Sequence, residues 1–485
     1  MTKQKVIIIG AGLSGSLLAI YLAKQGIEAD VYEARGDMRK AETAAGRSIN
    51  LALSNRGIAA LKEVGLDEYM LAEAVPMFGR MIHAIDGEKK LLPYSGRQGE
   101  YINSVSRAGL NIALMNEAEK QSGVRFFFNE KCADFDCKTG EAKFESGKIA
   151  KGDTLIATDG AGSAVRNAML HGGVPRFDFS QKWLEHGYKE LHIPPFRTVR
   201  GSDLFNSQNI SDHVQPSATA NGSDLFQMEK NALHIWARRS FMMIALPNFD
   251  GSFTCTLFLA HNGENSFEEI INDAENFSKI QSPKTKNRIE RSLMSFFQTN
   301  FADAIPLMPT LLEDFFTNPT GNLGTIKCFP WNVGGKALLI GDSAHAVVPF
   351  YGQGMNASFE DCRILNQLIG QHGTDWEKVF DEFTALRKPN TDAIAEMAEE
   401  NFYEMRDAVA DPIFVRKREL ETKLEHTFPD YFSKYSMVTF REDLPYAIAK
   451  QKGNAQDKLL MEICAKVENV NEIDLTALVE RVKNI

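Results

Sequence analysis

The chain has 485 residues, 44% hydrophobic and 24% charged, a balance that belongs to folded globular proteins and excludes a disordered one. That length predicts two packed lobes with a terminal extension rather than a single core. A formal net charge of -10 excludes a general affinity for nucleic acid, so any anionic ligand must meet locally placed arginines or helix N-termini.

No run of about 18 apolar residues occurs, and the first residues lead straight into a strand pattern without an apolar signal. Neither a membrane span nor secretion is expected. Six cysteines in no regular framework suit a reducing cytosol. Cys132 and Cys137 lie in a polar hairpin-like stretch, DFDCKTGEAKFESGK, and read as structural rather than as a redox pair.

The first predicted element is a strand, Val6 to Ile9, followed by GAGLSG and a helix with Leu13, Leu17, Leu18, Tyr21 and Leu22 at helical spacing. Gly26 stops that helix, and Ile27 to Glu33 reads as a second strand. This βαβ unit predicts a parallel sheet. Gly10, Gly12 and Gly15 form GxGxxG between strand and helix, where glycines permit a tight turn, close approach of a pyrophosphate, and close helix–sheet packing. Leu13 and Ser14 open the helix, whose first amides and dipole favour phosphate. Glu33 ends the second strand, placed to accept from ribose hydroxyls. On these residues alone NAD and FAD stay undecided.

A third apolar strand lies within Lys151 to Asp159, and TDGAGSAVR sets Asp159 and Gly160 at its end, before a helix carrying Ser163 and Arg166. HGYKELHI, NALHIWARRSFMMIALP and SFTCTLFLAH then show strand alternation without intervening helices, the pattern of an antiparallel sheet. Among them GSDLF occurs twice, at Gly201–Phe205 and Gly222–Phe226, around a Ser/Asn/Asp-rich stretch that reads as a solvated loop insertion. A further strand, Lys336 to Gly341, leads into GDSAHAVVPFYGQGMNASFEDC. There Gly341 and Asp342 stand at a strand end, where Asp342 can hold a ribityl hydroxyl. Gly354, Met355 and Asn356 open a helix aimed to stabilise negative charge on a reduced flavin. Each acid also reads as a plain helix cap. These two segments favour a flavin over a nicotinamide as the resident group. His345 reads as a buried structural histidine. From about Asp375 the pattern is helical and charged to the end, and the amphipathic last segment from Asp457 is expected to pack on the body.

GxGxxG, then DG, then GD in this order resembles the group A flavin hydroxylases, the para-hydroxybenzoate hydroxylase-like proteins. A second strand–GxGxxG–helix unit is missing, which fits a family that binds NADPH only transiently. Disulfide reductases would need that unit and an adjacent cysteine pair. Within the group, GRSINLALSNRG from Gly46, YINSVSRAGLN from Tyr101, LEHGYKEL from Leu184, ALHIWARRSFMMIALPN from Ala232, VPFYGQGMN from Val348, NFYEMRD from Asn401 and YSMVTF from Tyr435 resemble the kynurenine 3-monooxygenase family across nearly the whole chain. The segment from Phe196 to Asp224 departs from that family.

The resemblance implies an α/β protein, α+β overall. A discontinuous Rossmann-like FAD-binding domain would take 1–75, 101–180 and 325–370. A substrate domain with an antiparallel sheet would take 76–100 and 181–324, and a helical C-terminal region 371–485. It also implies that Arg80 binds the amino-acid carboxylate of L-kynurenine. Tyr94 would assist, Asn401 and Tyr435 would add contacts on the carboxylate side, and Glu404 would stand near the same pocket. Phe350 is expected to pack against the substrate ring, and Arg107 to contact FAD. A carboxylate loses much hydration on burial, and a guanidinium with tyrosine hydroxyls replaces it. The implied reaction is NADPH- and O2-dependent hydroxylation at ring position 3 through a flavin C4a-hydroperoxide, with no obligatory side-chain base. Eukaryotic members end in a membrane-anchoring helix that has no counterpart here, so a soluble, cytoplasmic, bacterial form is implied. No metal is expected. Oligomeric state stays open, a homodimer included. Two other readings remain: a group A hydroxylase of another aromatic acid, and a flavin-fold binding protein that does not hydroxylate.

Overall fold

The structure is a computed structural model that describes residues 4–40, 50–172, 174–196, 225–271, 283–406 and 411–483. The first GSDLF copy, and the second up to Asp224, lie outside the described residues.

Five strands form a parallel sheet in the order Ala337–Leu339, Thr154–Ala157, Lys5–Ile9, Glu28–Glu33, Val124–Phe128. Lys5–Ile9 is central, and its apolar run Val6–Ile9 is buried, as a strand covered on both faces must be. The helix Leu13–Lys24 packs against Arg107–Lys120 and Gly354–His372. Chain segments far apart in sequence therefore assemble one sheet. Its strand ends bring GxGxxG, DG and GD to the same edge.

A seven-stranded sheet runs Gly321–Phe329, Asp178–Ile193, Phe253–Ala260, Met242–Pro247, Ala232–Ala237, Gly79–His83, Lys89–Pro93. It is antiparallel except between Ala232–Ala237 and Gly79–His83, which pair in parallel with Leu233 opposite Arg80. The antiparallel expectation holds for the sheet at large, and this one parallel pairing was not foreseen. NALHIWARRSFMMIALP splits into two strands around Arg238–Phe241, where Arg239 takes a φ of +62°. Alternation gives the sheet two apolar faces. Trp236, Met243, Cys255 and Leu257 pack against Pro283–Asn300 and Leu311–Thr317. Ile235, Met242 and Phe258 face Val348, Phe350, Tyr351 and the C-terminal helices.

Those helices are Trp376–Arg406, Pro412–Thr427, Lys434–Phe440, Tyr446–Cys464 and Leu475–Lys483. Leu478, Val479 and Val482 of the last one close a small core with Leu420, Leu424 and Leu460, so the amphipathic C-terminal segment packs on the body. Among the described residues no helix is long and apolar enough to cross a membrane.

Candidate flavin and substrate site

The GxGxxG turn is shaped by close contacts that only glycine permits. A Cβ on Gly15 would lie 2.0 Å from the Gly10 carbonyl oxygen, and one on Gly10 would lie 2.6 Å from that of Thr158. Gly12 is different, since a Cβ there would meet nothing within 4 Å. The helix that follows has no side-chain cap, so the first-turn amides of Leu13 and Ser14 are left for a ligand. Ala11 N–H donates to Glu33 Oε2 at 2.9 Å, and Arg35 donates to Oε1 from its backbone at 3.0 Å and from Nε at 2.7 Å. Burial pushes the Glu33 carboxyl up, but these bonds outweigh it and leave its pKa below the usual range. An ionised carboxylate so held keeps lone pairs for hydroxyl donors. Ala11, Glu33, Met38, Asn111, Met115 and Phe128 line a small groove.

Asp159 divides its two oxygens between two tasks. Oδ2 accepts from Ala164 N–H at 2.8 Å, which is the capping role, whereas Oδ1 is buried with no partner among the described residues. Burial raises its pKa above the usual carboxylate range. Gly341 sits close to two other motifs, because a Cβ there would lie 3.0 Å from Ser358 Oγ and 3.2 Å from Ser14 Oγ. Asp342 is open to solvent but enclosed on its flanks. That enclosure raises its pKa, with His345 and then Arg107 pulling it back. Arg107 is exposed at the first position of its helix, which Ser106 caps by accepting from Gly109 N–H at 3.2 Å. The helix Gly354–His372 also lacks a side-chain cap, leaving amides at Gly354 and Met355. Asn356 is already committed to protein: Oδ1 accepts from Ser54 N–H at 3.0 Å, and Nδ2 donates to Ala52 O and Gly352 O, each at 2.8 Å. His345 is buried against Asp361, with Nε2 2.6 Å from Oδ2, as the structural reading expects.

These features fit a dinucleotide with a flavin end. Two uncapped helix N-termini and a glycine turn with free space in front converge, and an unpaired buried carboxylate oxygen accompanies them.

The residues expected on the carboxylate side also gather. Arg80, on the strand next to the edge of the seven-stranded sheet, places its guanidinium 5.1 Å from the Tyr435 ring centre and 5.7 Å from that of Tyr94. Tyr94 and Tyr435 stack at 5.2 Å, and Tyr351 also stacks with Tyr435 at 5.6 Å. Glu404 Oε1 lies 3.9 Å from Arg80 Nη1. Neither Tyr94 Oη nor Arg80 Nε completes a hydrogen bond of good geometry among the described residues. Burial raises the pKa of all three phenols and Arg80 pulls each back only in part, so they stay neutral donors at neutral pH.

Phe350 and Asn401 form a neighbouring pair. Asn401 Nδ2 donates to the Phe350 carbonyl at 2.6 Å, and the Phe350 ring packs on Phe402 at 4.5 Å and Phe258 at 4.9 Å. Asn401 therefore holds the loop before GQGMN while lining a small cleft together with Tyr351, Glu404, Arg418, Tyr435 and Asp457. Sequence reasoning missed Tyr351, Arg418 and Asp457. Tyr351 directly follows Phe350, and only the bend of the loop turns it toward Tyr435. Arg418 and Asp457 belong to helices whose facing sides no local pattern reveals. Cys132 and Cys137 are free, as are the other four cysteines.

Comparison with known proteins identifies the family and the fold. The FAD binding domain family matches residues 3–189 and 323–398. A kynurenine 3-monooxygenase of Myxococcus xanthus is 43% identical, covering 99% of this chain and 95% of the relative. One of Flavobacterium johnsoniae is 41% identical over 99% and 98%. Among solved structures, a variant of 2-methyl-3-hydroxypyridine-5-carboxylic acid oxygenase superposes with a TM-score of 0.60 at 17% identity, covering 89% of this chain and 99% of that one, which is a likeness of fold.

Proposed function

From the premise that this chain belongs to the kynurenine 3-monooxygenase family, we propose that Arg80, framed by Tyr94 and Tyr435, anchors the carboxylate of L-kynurenine for hydroxylation at ring position 3, with NADPH and O2 as co-substrates. The enzyme is an FAD-dependent monooxygenase acting on kynurenine. The observation that carries the residue assignment is the Arg80 guanidinium 5.7 Å from the Tyr94 ring, with Arg80 Nε and Tyr94 Oη both buried and unsatisfied among the described residues.

What FAD supplies when bound is acceptance of a hydride from NADPH and activation of O2. The chain's own work is binding, orientation and exclusion of water. The first-turn amides at Leu13 and Ser14 and the space before Gly12 would receive the pyrophosphate. Glu33 would take the ribose hydroxyls, and Asp159 and Asp342 would take hydroxyl donors further along the molecule. The helix beginning at Gly354 offers amides and a positive dipole end toward the flavin ring. Arg80 and neutral tyrosine donors replace water around a carboxylate, and Glu404 offers an opposite charge for the ammonium group. A carboxylate held at one point determines which ring carbon faces the reacting centre, which is positioning rather than acid–base work. Phe350, with Phe258 and Phe402 behind it, offers an apolar wall. The six unpaired cysteines support placing the enzyme in the reducing cytoplasm.

The test is NADPH oxidation by the yellow protein with and without L-kynurenine, with the product identified. Acceleration by kynurenine and formation of 3-hydroxykynurenine are expected. Turnover of 4-hydroxybenzoate or salicylate with indifference to kynurenine would overturn the substrate reading.

A further inference from the structure

The helix Lys434–Phe440 carries Tyr435 in its first turn, and its two ends are held differently. Ser433 caps the N-terminus, its Oγ accepting from Ser436 N–H at 3.2 Å. The C-terminal carbonyls, which no helix can satisfy internally, are taken by two neighbouring side chains from the helix Asn55–Val64. Arg56 Nε donates to Val438 O at 3.0 Å, and Asn55 Nδ2 donates to Phe440 O at 3.0 Å. Arg56 Nη2 continues to Arg441 O at 2.9 Å and also to Leu444 O. A cation at a helix C-terminus is favourable in its own right. This one comes from a helix near the other end of the sequence, Asn55–Val64.

The other edge of the same guanidinium leads into the flavin-binding core. Arg56 Nη1 meets Glu360 Oε1 at 2.6 Å, and Glu360 Oε2 meets Arg387 Nη1 at 2.5 Å. Arg387 Nε donates to Asp361 Oδ1 at 2.7 Å, and Asp361 Oδ2 receives Gly341 N–H at 3.0 Å beside His345. Every member is at most 6% exposed. Asn55 and Arg56 directly follow Ser54, whose N–H is bound by Asn356 in the first turn of the GQGMN helix. The Tyr446 ring covers the guanidinium at 3.9 Å, and its hydroxyl donates to Gln353 at 2.9 Å. A chain of buried ions is a poor way to gain stability alone, since apolar residues of similar volume do as well. What this chain does have is geometry. It ends on main-chain groups of the anchoring segment at one side and on the amide of Gly341 at the other.

We propose that Arg56, seconded by Asn55, is a positioning residue that sets the substrate-anchoring helix in register with the flavin site. It thereby fixes how far Tyr435 and the bound carboxylate stand from the reacting centre. The inference rests on the reading of Arg80 and Tyr435 as the anchor. A lysine cannot stand in for Arg56, because one ammonium cannot serve Glu360 and three diverging carbonyls together.

The test uses the FAD-loaded protein as wild type, Asn55→Ala and Arg56→Lys, each also combined with Tyr435→Phe. L-kynurenine binding is measured by isothermal titration calorimetry, and FAD affinity by reconstitution of the stripped protein. Kynurenine binding is expected to weaken about 3- to 10-fold in Asn55→Ala and more in Arg56→Lys, with FAD affinity within about twofold of wild type. In the Tyr435→Phe background the same changes should add less than about twofold, because they act through that helix. Should Arg56→Lys fail to fold, Asn55→Ala decides alone. Unchanged kynurenine binding, or losses that simply add to that of Tyr435→Phe, would overturn the inference while leaving the anchor reading intact. If Arg80→Ala and Tyr435→Phe also bind kynurenine normally, both fall together.

Discussion

The guanidinium carbon of Arg80 lies 5.1 Å from the centre of the Tyr435 ring, although the two residues come from opposite ends of the chain. Arg80 stands on a sheet strand and Tyr435 on a short C-terminal helix, so the contact exists only because two separately folded layers meet. An arginine between tyrosines, with donors to spare, is arranged for an anion that the protein itself does not provide.

Replacing Arg80 should therefore hurt binding more than folding. Arg80→Met is expected to weaken L-kynurenine binding by roughly 10- to 100-fold, the range for losing charge-assisted hydrogen bonds. Thermal stability should change little, because among the described residues Arg80 pairs with a carboxylate only at the long 3.9 Å distance to Glu404. Calorimetric titration and a melting curve on the same preparation check both halves.

Tyr94→Phe makes the sharper test. The Tyr94 hydroxyl is buried without a good partner among the described residues, so removing it should leave stability unchanged or slightly higher. Kynurenine affinity should nevertheless fall, by about 5-fold. A variant as stable as wild type with full affinity would remove Tyr94 from the anchor.

Two glycines of one motif should behave differently. Gly15→Ala drives a Cβ to 2.0 Å from the Gly10 carbonyl oxygen, so the turn itself must deform and the protein should lose both FAD and stability. Gly12→Ala meets no protein atom within 4 Å, so its fold should survive while its methyl intrudes on the space for phosphate. The ratio of flavin to protein absorbance, read beside circular dichroism, separates the two outcomes.

Acid should loosen the seven-stranded sheet through His234. Its Nε2 lies 2.8 Å from Glu229 O and its Nδ1 2.8 Å from His83 Nε2. Burial lowers its pKa from 6.5 to about 4. Between those values the unfolded chain binds a proton that the folded one refuses. The stabilisation is thus complete above pH 6.5 and disappears as pH falls toward 4, a change on the order of 3 kcal/mol. Urea midpoints measured from pH 7.5 to 4.5 should fall along this course, and His234→Gln should flatten the slope.

Much of the cofactor half was legible because its signals are local. A glycine turn between a strand and a helix is a short-range steric requirement, and Gly10 and Gly15 show it in the contacts a Cβ would make. The order GxGxxG, DG, GD predicted convergence, and Ser14, Gly341 and Ser358 do meet. Asn356 is expected on the flavin side, and its side-chain amide is held by Ser54, Ala52 and Gly352, partners that no local pattern shows.

The sequence by itself determined which residue types could bind phosphate, ribose and carboxylate, since those capacities reside in single side chains and short turns. Which of them face one another was decided only in three dimensions. The parallel pairing of Ala232–Ala237 with Gly79–His83, the turn of Tyr351 toward Tyr435, and the run of charges from Arg56 to Asp361 all join segments distant in the chain. Periodicity tells which side of an element is buried, but it carries no information about the partner that buries it.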